Sequence, residues 1–527
     1  MRWLAIWHPP LATLRLRSFQ LKEVLLYDCQ PIPPHPHWPR PPMLTPAEEL
    51  GLAGMNVASR VRGAFHKIPD PDLAEMIEQI RLESLSRHVI YLRDGKQDAI
   101  NVMACPLTVL PDQVAYIHYV TLTIHNALKR LVELYMQDFA VRDILRLPPE
   151  EEQWLWECWT PAHRENNPVF GRHDAVIDFT SPMWKDSLRF VEPNMGGIGG
   201  LHLVPSVEQI MQGVVFPALK GQDPLLQMEI GPDIRELLMQ EILEHLESVG
   251  RKARNICFVD PKYAGSGIDE QEDVARYYHE RYGLRVMHAD PAELTQEGDE
   301  VLYNGQVIDL AYRDYAVCDL LDAEKQGANI GPMRTLFRQN RVMSSITADL
   351  DQKSCWEVFT DPQFTQKYFS AEERQVFRRH ILWTRLLGER STLLPDGQTG
   401  ELLQYVRNEQ ESLVLKPNRA FGGQGVLLGP AVSHDEWQGA VDAALADPNR
   451  WVVQQLASLP VNEFPVIGPE GKLHVEPFYT VMGFAPSKYG LAILGRASQK
   501  HVVNVAQRGG MCAVVHSRAP TRLVGPT

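Results

Sequence analysis

Hydrophobic residues recur at helical spacing in the first third of the chain. Thr45, Pro46 and Glu48 have the pattern of a capping box with proline at the first helical position, which predicts that an ordered region begins there. Farther along, apolar residues predict an amphipathic helix that continues into the segment FAVRDIL: Ile124, Leu128, Leu131 and Tyr135. Residues 46–165 are therefore predicted to be mainly helical.

From about residue 170 the pattern changes to short apolar runs separated by glycine loops and helices. The runs LRFVE (188–192), NICFVD (255–260) and ESLVLKP (411–417) predict strands. Between them, PDIRELLMQEILEHLESVG predicts a helix with Gly250 as its C-terminal stop and one apolar face: Ile234, Leu238, Ile242 and Leu246. This part of the chain is predicted to have an α/β fold.

The first 45 residues have a different composition. The segment PIPPHPHWPRPPMLTP (31–46) can form neither a helix nor an inner strand, because proline lacks the backbone donor and restricts φ. We expect residues 1–45 to be a disordered leader, or an extension from a start codon placed too early.

Charge and cysteine content exclude several functional classes. The chain has 66 acidic and 52 basic residues, a formal charge of -14 that disfavours binding to nucleic acids or anionic membranes. The seven cysteines are scattered without zinc-site spacing, and no apolar run approaches the roughly 20 residues needed to cross a bilayer. We expect a cytoplasmic protein with reduced thiols and no nucleic-acid or membrane partner.

A glycine-rich loop follows the strand that carries Lys416. The segment ESLVLKPNRAFGGQGVLLG (411–429) places Arg419, Gly422, Gly423 and Gly425 after this lysine. Glycines let backbone N–H groups approach phosphate oxygens, and the lysine adds a charge, which suits a nucleoside triphosphate. A β-hairpin with a solvated lysine explains these residues equally well. The loop is not a Walker A motif, because no Gly-Lys-Ser/Thr follows.

Two later strands carry further candidate residues. The apolar run Trp451–Val453 directly precedes Gln454 and Gln455, and a strand there is either an ordinary core strand or one whose backbone meets an adenine edge. Arg496 ends an apolar run, and Asn504 precedes a glycine pair. Such an arginine either clamps phosphate or carboxylate oxygens or pairs with a nearby acid.

A candidate metal site lies in GRHDAVIDFTSPMWKDSLRFVEPNMGG. Arg172 and Asp174 are two apart, as are Glu192 and Asn194, so each pair lies on one face of its strand. Adjacent strands would bring Asp174, Glu192 and Asn194 together as oxygen ligands for magnesium, which takes one or two carboxylates plus phosphates. Asp178, which lies at a further even offset, competes with Asp174 for the role of metal ligand. The alternative to a metal site is a charged hairpin.

Six segments in order resemble the circularly permuted ATP-grasp family, related to the synthetase domain of glutathionylspermidine synthase. They lie between residues 165 and 515: RHDAVID, FVEPN, LDQKSCW, LVLKPNRAFGGQGV, WVVQQ and LGRASQKHVVNVAQRGG. In ordinary ATP-grasp enzymes the metal-binding acids follow the lysines and the glycine loop, whereas here they precede them. No amidase half precedes the ligase segments, and a proline lies inside the Glu-x-Asn triplet.

The resemblance implies an α/β (α+β) permuted ATP-grasp fold with a Rossmann-like pre-ATP-grasp subdomain and an N-terminal helical region. The expected segments are a leader (1–45), the helical region (46–165), strands with the Mg2+ site (166–229), the Rossmann-like subdomain (230–335), the lysine and glycine-loop half (336–515) and a tail (516–527).

The resemblance also implies roles for the candidate residues in an ATP-dependent ligase that joins a small carboxylate to an amine. Asp174, Glu192 and Asn194 are expected to hold Mg2+. Lys353 and Lys416 are expected to reach the ATP phosphates, and Arg172 and Arg496 the phosphoryl or acyl-phosphate oxygens. Arg313 is expected beside the acceptor site, with an internal ion pair as an equal alternative.

Two other hypotheses remain open. In NICFVDPKYAGSGIDE, Gly265 and Gly267 follow a strand and open a helix, which is typical of NAD(P)-type dinucleotide binding, although only two of three fingerprint glycines are present. The second hypothesis is that the chain is a catalytically inactive nucleotide-binding scaffold, which docks a protein partner through residues 46–165.

Overall fold

The computed structural model describes residues 46–518 except 421, 448–449, 469, 504 and 506–508, with side chains from residue 52 onward. The predicted leader, Asn504 and the end of the predicted tail lie outside the described residues. Residues from Pro46 onward form one compact unit. Its mixture of helices and sheets confirms the predicted α/β class.

The α-helices are, in chain order, α1 Pro46–Phe65, α2 Asp70–Ser86, α3 Pro111–Leu128, α4 Leu131–Gln137, α5 Phe139–Ile144, α6 Pro149–Cys158, α7 Pro161–Glu165, α8 Trp184–Ser187, α9 Leu203–Ile210, α10 Phe216–Gln222, α11 Ile234–Ser248, α12 Gln271–Tyr282, α13 Val317–Lys325, α14 Gly331–Arg338, α15 Cys355–Thr360, α16 Pro362–Tyr368, α17 Ala371–His380, α18 Leu402–Asn408 and α19 His434–Ala446.

The strands are β1 Ile90–Arg93, β2 Lys96–Ala99, β3 Leu107–Val109, β4 His173–Val176, β5 Arg189–Glu192, β6 Met228–Glu229, β7 Asn255–Val259, β8 Gly267–Ile268, β9 Arg285–Ala289, β10 Thr295–Glu297, β11 Glu300–Tyr303, β12 Gln306–Val307, β13 Leu310–Arg313, β14 Val342–Met343, β15 Thr384–Leu386, β16 Ser391–Leu393, β17 Thr399–Glu401, β18 Leu413–Pro417, β19 Leu427–Leu428, β20 Trp451–Gln455, β21 Val461–Ile467, β22 Leu473–Ser487, β23 Gly490–Ser498, β24 Gly510–Cys512 and β25 Val514–Ser517.

The N-terminal region is mainly helical, as predicted, but it also contains β1, β2 and β3. Helix α1 begins at Pro46, where the sequence predicts it. The prediction of one helix running through FAVRDIL is wrong, because the chain forms α3, α4 and α5 there. Asp138 caps α5 by accepting a hydrogen bond from the Ala140 N–H at 2.8 Å, and such capping favours a helix start over a helix interior.

A six-stranded sheet joins distant parts of the chain. Its order is β24-β23-β22-β4-β5, with β21 also paired to β22. The early strands β4 and β5 therefore lie beside the late strand β22, and all these pairs are antiparallel. A second, antiparallel sheet with the order β15-β20-β18-β19 carries Lys416 on β18.

A third sheet is parallel and has the order β14-β13-β7-β9. The apolar run predicted as a strand at 255–260 is β7, and it is almost completely buried. Helix α11 covers the predicted segment and is followed by Gly250, whose φ of +72° suits a glycine stop. Because ligands bind outside the carboxyl ends of such strands, the residues that follow β7 and β13 are candidate site residues.

One continuous hydrophobic core runs through most of the described chain. It includes Tyr135 and Trp154 of the helical region together with Phe258 of the parallel sheet and Phe484 of the six-stranded sheet. The helical region therefore packs into the same core as the sheets. A separate core around Trp437 supports the sheet that carries Lys416.

The structure bears on three further expectations, which concern membrane-spanning segments, cysteine oxidation and the start of the tail. Within the described part of the chain no helix is long and apolar enough to cross a membrane. The cysteines described there are free. Strand β25 extends to Ser517, two residues into the segment predicted to be a tail.

The start of α9 depends on one buried carboxylate. Glu270 accepts backbone N–H bonds at 2.7 Å from Gly200, 3.1 Å from Leu201, 2.7 Å from His202 and 3.3 Å from Leu203. These N–H groups have no partner within their own helix, and the helix dipole favours a negative charge there. Glu270 thus joins the segment from Gly200 to Leu203 to the start of α12.

We expect Glu270→Gln to lower the free energy of unfolding by ~2 kcal/mol, because the amide removes the charge that strengthens these hydrogen bonds. Urea unfolding measures the change. The matched control is Glu272→Gln, an exposed residue in the first turn of α12, which should change stability by less than about 0.5 kcal/mol. Equal stability of the two variants would contradict the role of Glu270.

Candidate functional site

A β-bulge brings the predicted metal ligands onto one face of the six-stranded sheet. Asp174 on β4 lies opposite Glu192 on β5, whereas Ala175 lies opposite Phe190, so Val191 is an extra residue. If the strands instead continued the register of Ala175 with Phe190, Glu192 would lie opposite His173 and would face the other side of the sheet. The bulge therefore places two carboxylates side by side.

The pairing continues beyond the end of β5. The N–H of Arg172 donates to the carbonyl of Asn194 at 2.8 Å, so these residues lie opposite each other past Pro193. Pro193 follows the last residue of the strand and does not interrupt it. Arg172, Asp174, Glu192 and Asn194 thus share one face, as their spacing of two predicts.

The neighbouring strands complete this face. Gly483 on β22 lies opposite Asp174, and Arg496 on β23 lies opposite Val481. Arg496 Nη2 lies 2.8 Å from Asp174 Oδ1, and Arg172 Nε lies 3.4 Å from the same oxygen. Burial opposes ionisation of Asp174, but Arg496 and Arg172 outweigh it and hold the pKa of this carboxyl below its usual value. Asp174 is therefore an ionised group at neutral pH.

Glu192 has a separate cationic partner. Lys353 Nζ lies 2.8 Å from Glu192 Oε1 and donates to the Ala420 carbonyl at 2.5 Å. Lys353 lies in a loop between a 3-10 turn and α15. Asn418 fixes this loop, because its carbonyl accepts from the Lys353 N–H at 3.1 Å and its Oδ1 from the Ser354 N–H at 2.8 Å.

Lys416 lies in the second sheet, behind Glu192. Its Nζ donates to Gln454 Oε1 at 2.7 Å, and Gln454 Nε2 donates to the Val191 carbonyl at 3.0 Å. Burial lowers the pKa of Lys416 to about 8, against the opposing effect of Glu192. Gln454 therefore joins the two sheets at the point where their charged residues meet.

The carboxylates, the arginines and Lys353 line a cavity of about 1080 Å³, whereas Lys416 is not among its lining residues. A site of this size accommodates a nucleotide or a similar ligand. Sequence-predicted residues on its wall are Arg172, Asp174, Glu192, Asn194, Arg313, Lys353, Arg419, Gly422 and Arg496.

The glycine-rich loop forms another part of the wall. Gly422, Gly423 and Gly425 have φ angles of +68°, +74° and +70°, a region that favours glycine. Arg419 at the start of the loop pairs with Glu151 of α6, with Nη1–Oε1 and Nη2–Oε2 distances of 2.9 Å and 2.5 Å. The loop is thus tied to the N-terminal helical region.

Carboxylates line the cavity at the ends of the parallel strands. Asp260 follows β7 and lies 2.5 Å from His288 Nε2, and Asp314 follows β13. Partial desolvation, with the neighbouring Asp260 and Glu270, raises the pKa of Asp314 well above its usual value. These carboxylates suit a cationic group, whereas Arg172, Arg496 and Lys353 of the same cavity suit an anionic one.

Other sequence-predicted residues lie away from the cavity wall. Gln454 links the sheets, and the side chain of Gln455 is exposed. Asp178 accepts two hydrogen bonds from Thr180 in a turn outside the cavity, so Asp174 is the aspartate that faces Glu192.

Arg313 is enclosed in an internal ion pair, the alternative left open from the sequence. It is 2% exposed, and its Nη2 donates to Asp349 Oδ2 at 2.7 Å. It also donates to the carbonyls of Ser344, Tyr315 and Ser345. These contacts hold the end of β13 in place.

Sequence reasoning missed several residues on the cavity wall. Asp260 and Asp314 directly follow strands of a parallel sheet, which is a signal that could have found them. Asp351 lies two residues before Lys353, accepts from the Met195 N–H at 2.8 Å, and has a pKa raised by burial to about 7. Glu151 does not line the cavity but binds the wall residue Arg419, and it carries no local signal because this partner is far away in the chain.

Comparisons with known proteins give a short sequence match and a match to the fold of solved structures. No protein-family model matches the sequence. A putative glutamate–cysteine ligase 2-3 of Frankia alni is 35% identical over 80 residues, which is 14% of this chain and 9% of that protein. The chain thus matches under a tenth of that relative's length.

The fold resembles that of a glutathione synthetase-like effector, GSS30, from Globodera pallida in its apo form. The TM-score is 0.56 with 11% sequence identity, and the match covers 85% of this chain and 98% of that chain. The two proteins share an overall fold.

We expect Gly483→Ala to lower the free energy of unfolding by about 1–3 kcal/mol, since a Cβ there would lie 2.6 Å from Arg172 Cδ and displace that side chain. Gly439→Ala in α19 is the control, because a Cβ at Gly439 meets nothing within 4 Å and should stabilise the helix by roughly 0.5–1 kcal/mol. Thermal unfolding distinguishes the two. No loss of stability in Gly483→Ala would show that Arg172 has room to move.

Proposed function

We propose that this chain is an ATP-dependent carboxylate–amine ligase of the permuted ATP-grasp type. ATP would phosphorylate a substrate carboxylate, an amine would attack the acyl phosphate, and the products would be an amide, ADP and phosphate. The matched proteins are named as a ligase and a synthetase-like effector, which is in keeping with this class of reaction.

One observation carries the proposal. Asp174 and Glu192 of the six-stranded sheet line one cavity together with Lys353 and Arg419 of the later half of the chain, and Lys353 Nζ lies 2.8 Å from Glu192 Oε1. Carboxylates and cationic side chains from distant segments thus lie close together. A metal–phosphate complex needs both, the carboxylates for the metal and the cations for the phosphates. The placement of β4 and β5 beside β22 supports the permuted order of the motifs.

The residues present fit a magnesium ion. Two carboxylates and an amide match the preference of Mg2+ for a few protein oxygens plus substrate phosphates. Asn194 lines the same cavity as both carboxylates, and its buried Nδ2 has no hydrogen-bond partner among the described residues; the metal ligand would be its Oδ1. Asp174, Glu192 and Asn194 would hold the ion, which would neutralise negative charge on the phosphates.

The lysines, arginines and glycine loop would bind and orient the phosphates. Lys353 and Arg419 lie on the cavity wall, and Lys416 is held by Gln454 in the adjacent sheet. Arg172 and Arg496 would stabilise charge on the transferred phosphoryl group. No side-chain nucleophile is required, so the protein would act through positioning and electrostatics.

The carboxylates at the parallel-sheet end of the cavity would receive the amine substrate. Asp260 and Asp314 lie on the same cavity wall as the candidate phosphate site. A carboxylate attracts a protonated amine and orients it by charge-assisted hydrogen bonds. The internal contacts of Arg313 favour a supporting role for it beside this region.

The dinucleotide hypothesis has less support. Gly267 belongs to β8 and pairs with Leu92, and Glu270, Glu272 and Asp273 surround the start of α12. Carboxylates at a helix N-terminus repel the pyrophosphate that a dinucleotide site binds there.

We expect Asp174→Asn and Glu192→Gln each to reduce MgATP-dependent turnover at least about a hundredfold, since each removes a charged metal ligand. Steady-state ADP release measures the effect, with thermal unfolding as a check of folding. The matched control is Asp178→Asn, which alters the competing aspartate outside the cavity and should retain turnover. Loss of activity in Asp178→Asn alone would overturn the metal assignment.

A coupled ADP-release screen against pooled carboxylates with amino acids, small peptides and polyamines tests the reaction itself. We expect release only when an acid and an amine are both present, and a product mass equal to their sum less water. MgATP binding without ADP release from any pool would favour the inactive-scaffold hypothesis. Binding of NADH instead of MgATP would favour the dinucleotide hypothesis.

A further inference from the structure

The segment from Asp143 to Glu151 of the helical region contacts the loops that carry the candidate phosphate-binding residues. Ser354 Oγ donates to the Ile144 carbonyl at 3.1 Å, and Gln352 Nε2 donates to the Leu145 carbonyl at 3.2 Å. Gln352 and Ser354 flank Lys353 in the chain. The end of α5 thus holds the side chains on both sides of Lys353.

The same segment reaches the glycine-loop side of the cavity. Glu151, in the first turn of α6, is 4% exposed and binds both terminal nitrogens of Arg419. Arg450 Nη1 donates to the Asp143 carbonyl at 2.7 Å. Residues 146–149 between these contacts line the cavity themselves. The helical region therefore forms a wall of the site.

The geometry of the Glu151–Arg419 pair leaves Arg419 able to bind a ligand. A guanidinium carries N–H donors on all three of its nitrogens, and Glu151 engages only one side of Nη1 and Nη2. Arg419 lines the cavity at the start of a loop with three glycines in the left-handed region. A long side chain on such a loop loses much rotamer freedom on binding, unless another group already holds it.

We propose that Glu151 is a positioning residue, which holds Arg419 in the orientation that binds the phosphates of ATP. The inference rests on the proposed function and assigns a role to the helical region, for which the sequence offers no local signal. Glu151 acts through Arg419 and does not itself touch the nucleotide. The carboxylate preorders the guanidinium before the ligand arrives, so its loss should weaken binding.

Titration calorimetry with MgATP tests the inference on the full chain. We expect Glu151→Gln to raise the Kd for MgATP at least about tenfold, because a neutral amide loses the charge-assisted pair. Glu151→Asp, which keeps the charge, should recover part of the affinity. The control is Glu150→Gln, at the residue next to Glu151 in the chain. This variant removes an exposed ion pair with Lys325 and should change the Kd for MgATP less than about twofold.

A double-variant comparison distinguishes positioning from a general loss of structure. If Glu151 acts through Arg419, adding Glu151→Gln to Arg419→Gln should weaken MgATP binding no further than Arg419→Gln alone. If the two substitutions weakened MgATP binding additively, the inference would be overturned. It would also be overturned if the wild-type chain bound MgATP and Glu151→Gln left the Kd unchanged. Absence of MgATP binding by the folded wild-type chain would overturn the proposed function and this inference with it.

Discussion

Mutual neutralisation of buried charges is the constraint on which this site depends. Asp174 and Glu192 stand side by side on one sheet face, where two carboxylates repel each other and are poorly solvated. Arg496 and Lys353 offset that repulsion at 2.8 Å each. Arg496 comes from the same sheet as the two carboxylates, whereas Lys353 comes from a loop before α15. The charges are therefore balanced only when these separate segments of the chain are folded together.

The local pattern of the sequence predicts much of this arrangement. The spacing of Arg172 with Asp174 and of Glu192 with Asn194 gives the shared face, and apolar runs locate the strands that carry Lys416 and Arg496. What the pattern lacks is the bulge at Val191, which decides whether the two pairs face the same side. A bulge depends on pairing between strands, so a single strand's periodicity does not reveal it.

Long-range partners account for the remaining differences. Glu151 and Glu270 look like ordinary surface acids of helix starts in the sequence, yet each is buried by a partner in a remote segment. The chain forms three helices where one was predicted to run through FAVRDIL. The last of them, α5, begins separately because Asp138 caps it and also accepts hydrogen bonds from Lys367 and Tyr368 of α16. Tertiary contacts of this kind override local helical periodicity.

The strand order also has a consequence for biosynthesis. β4 pairs on one side with β5, which follows it closely, but its other neighbour, β22, is made some three hundred residues later. During translation the nascent chain therefore carries β4 with one edge unpaired for most of its synthesis, and Asp174 lacks Arg496 until β23 has emerged. Exposed strand edges are prone to association. The chain order that separates the two halves of the site therefore makes protection of the β4 edge most valuable between the synthesis of β5 and that of β22.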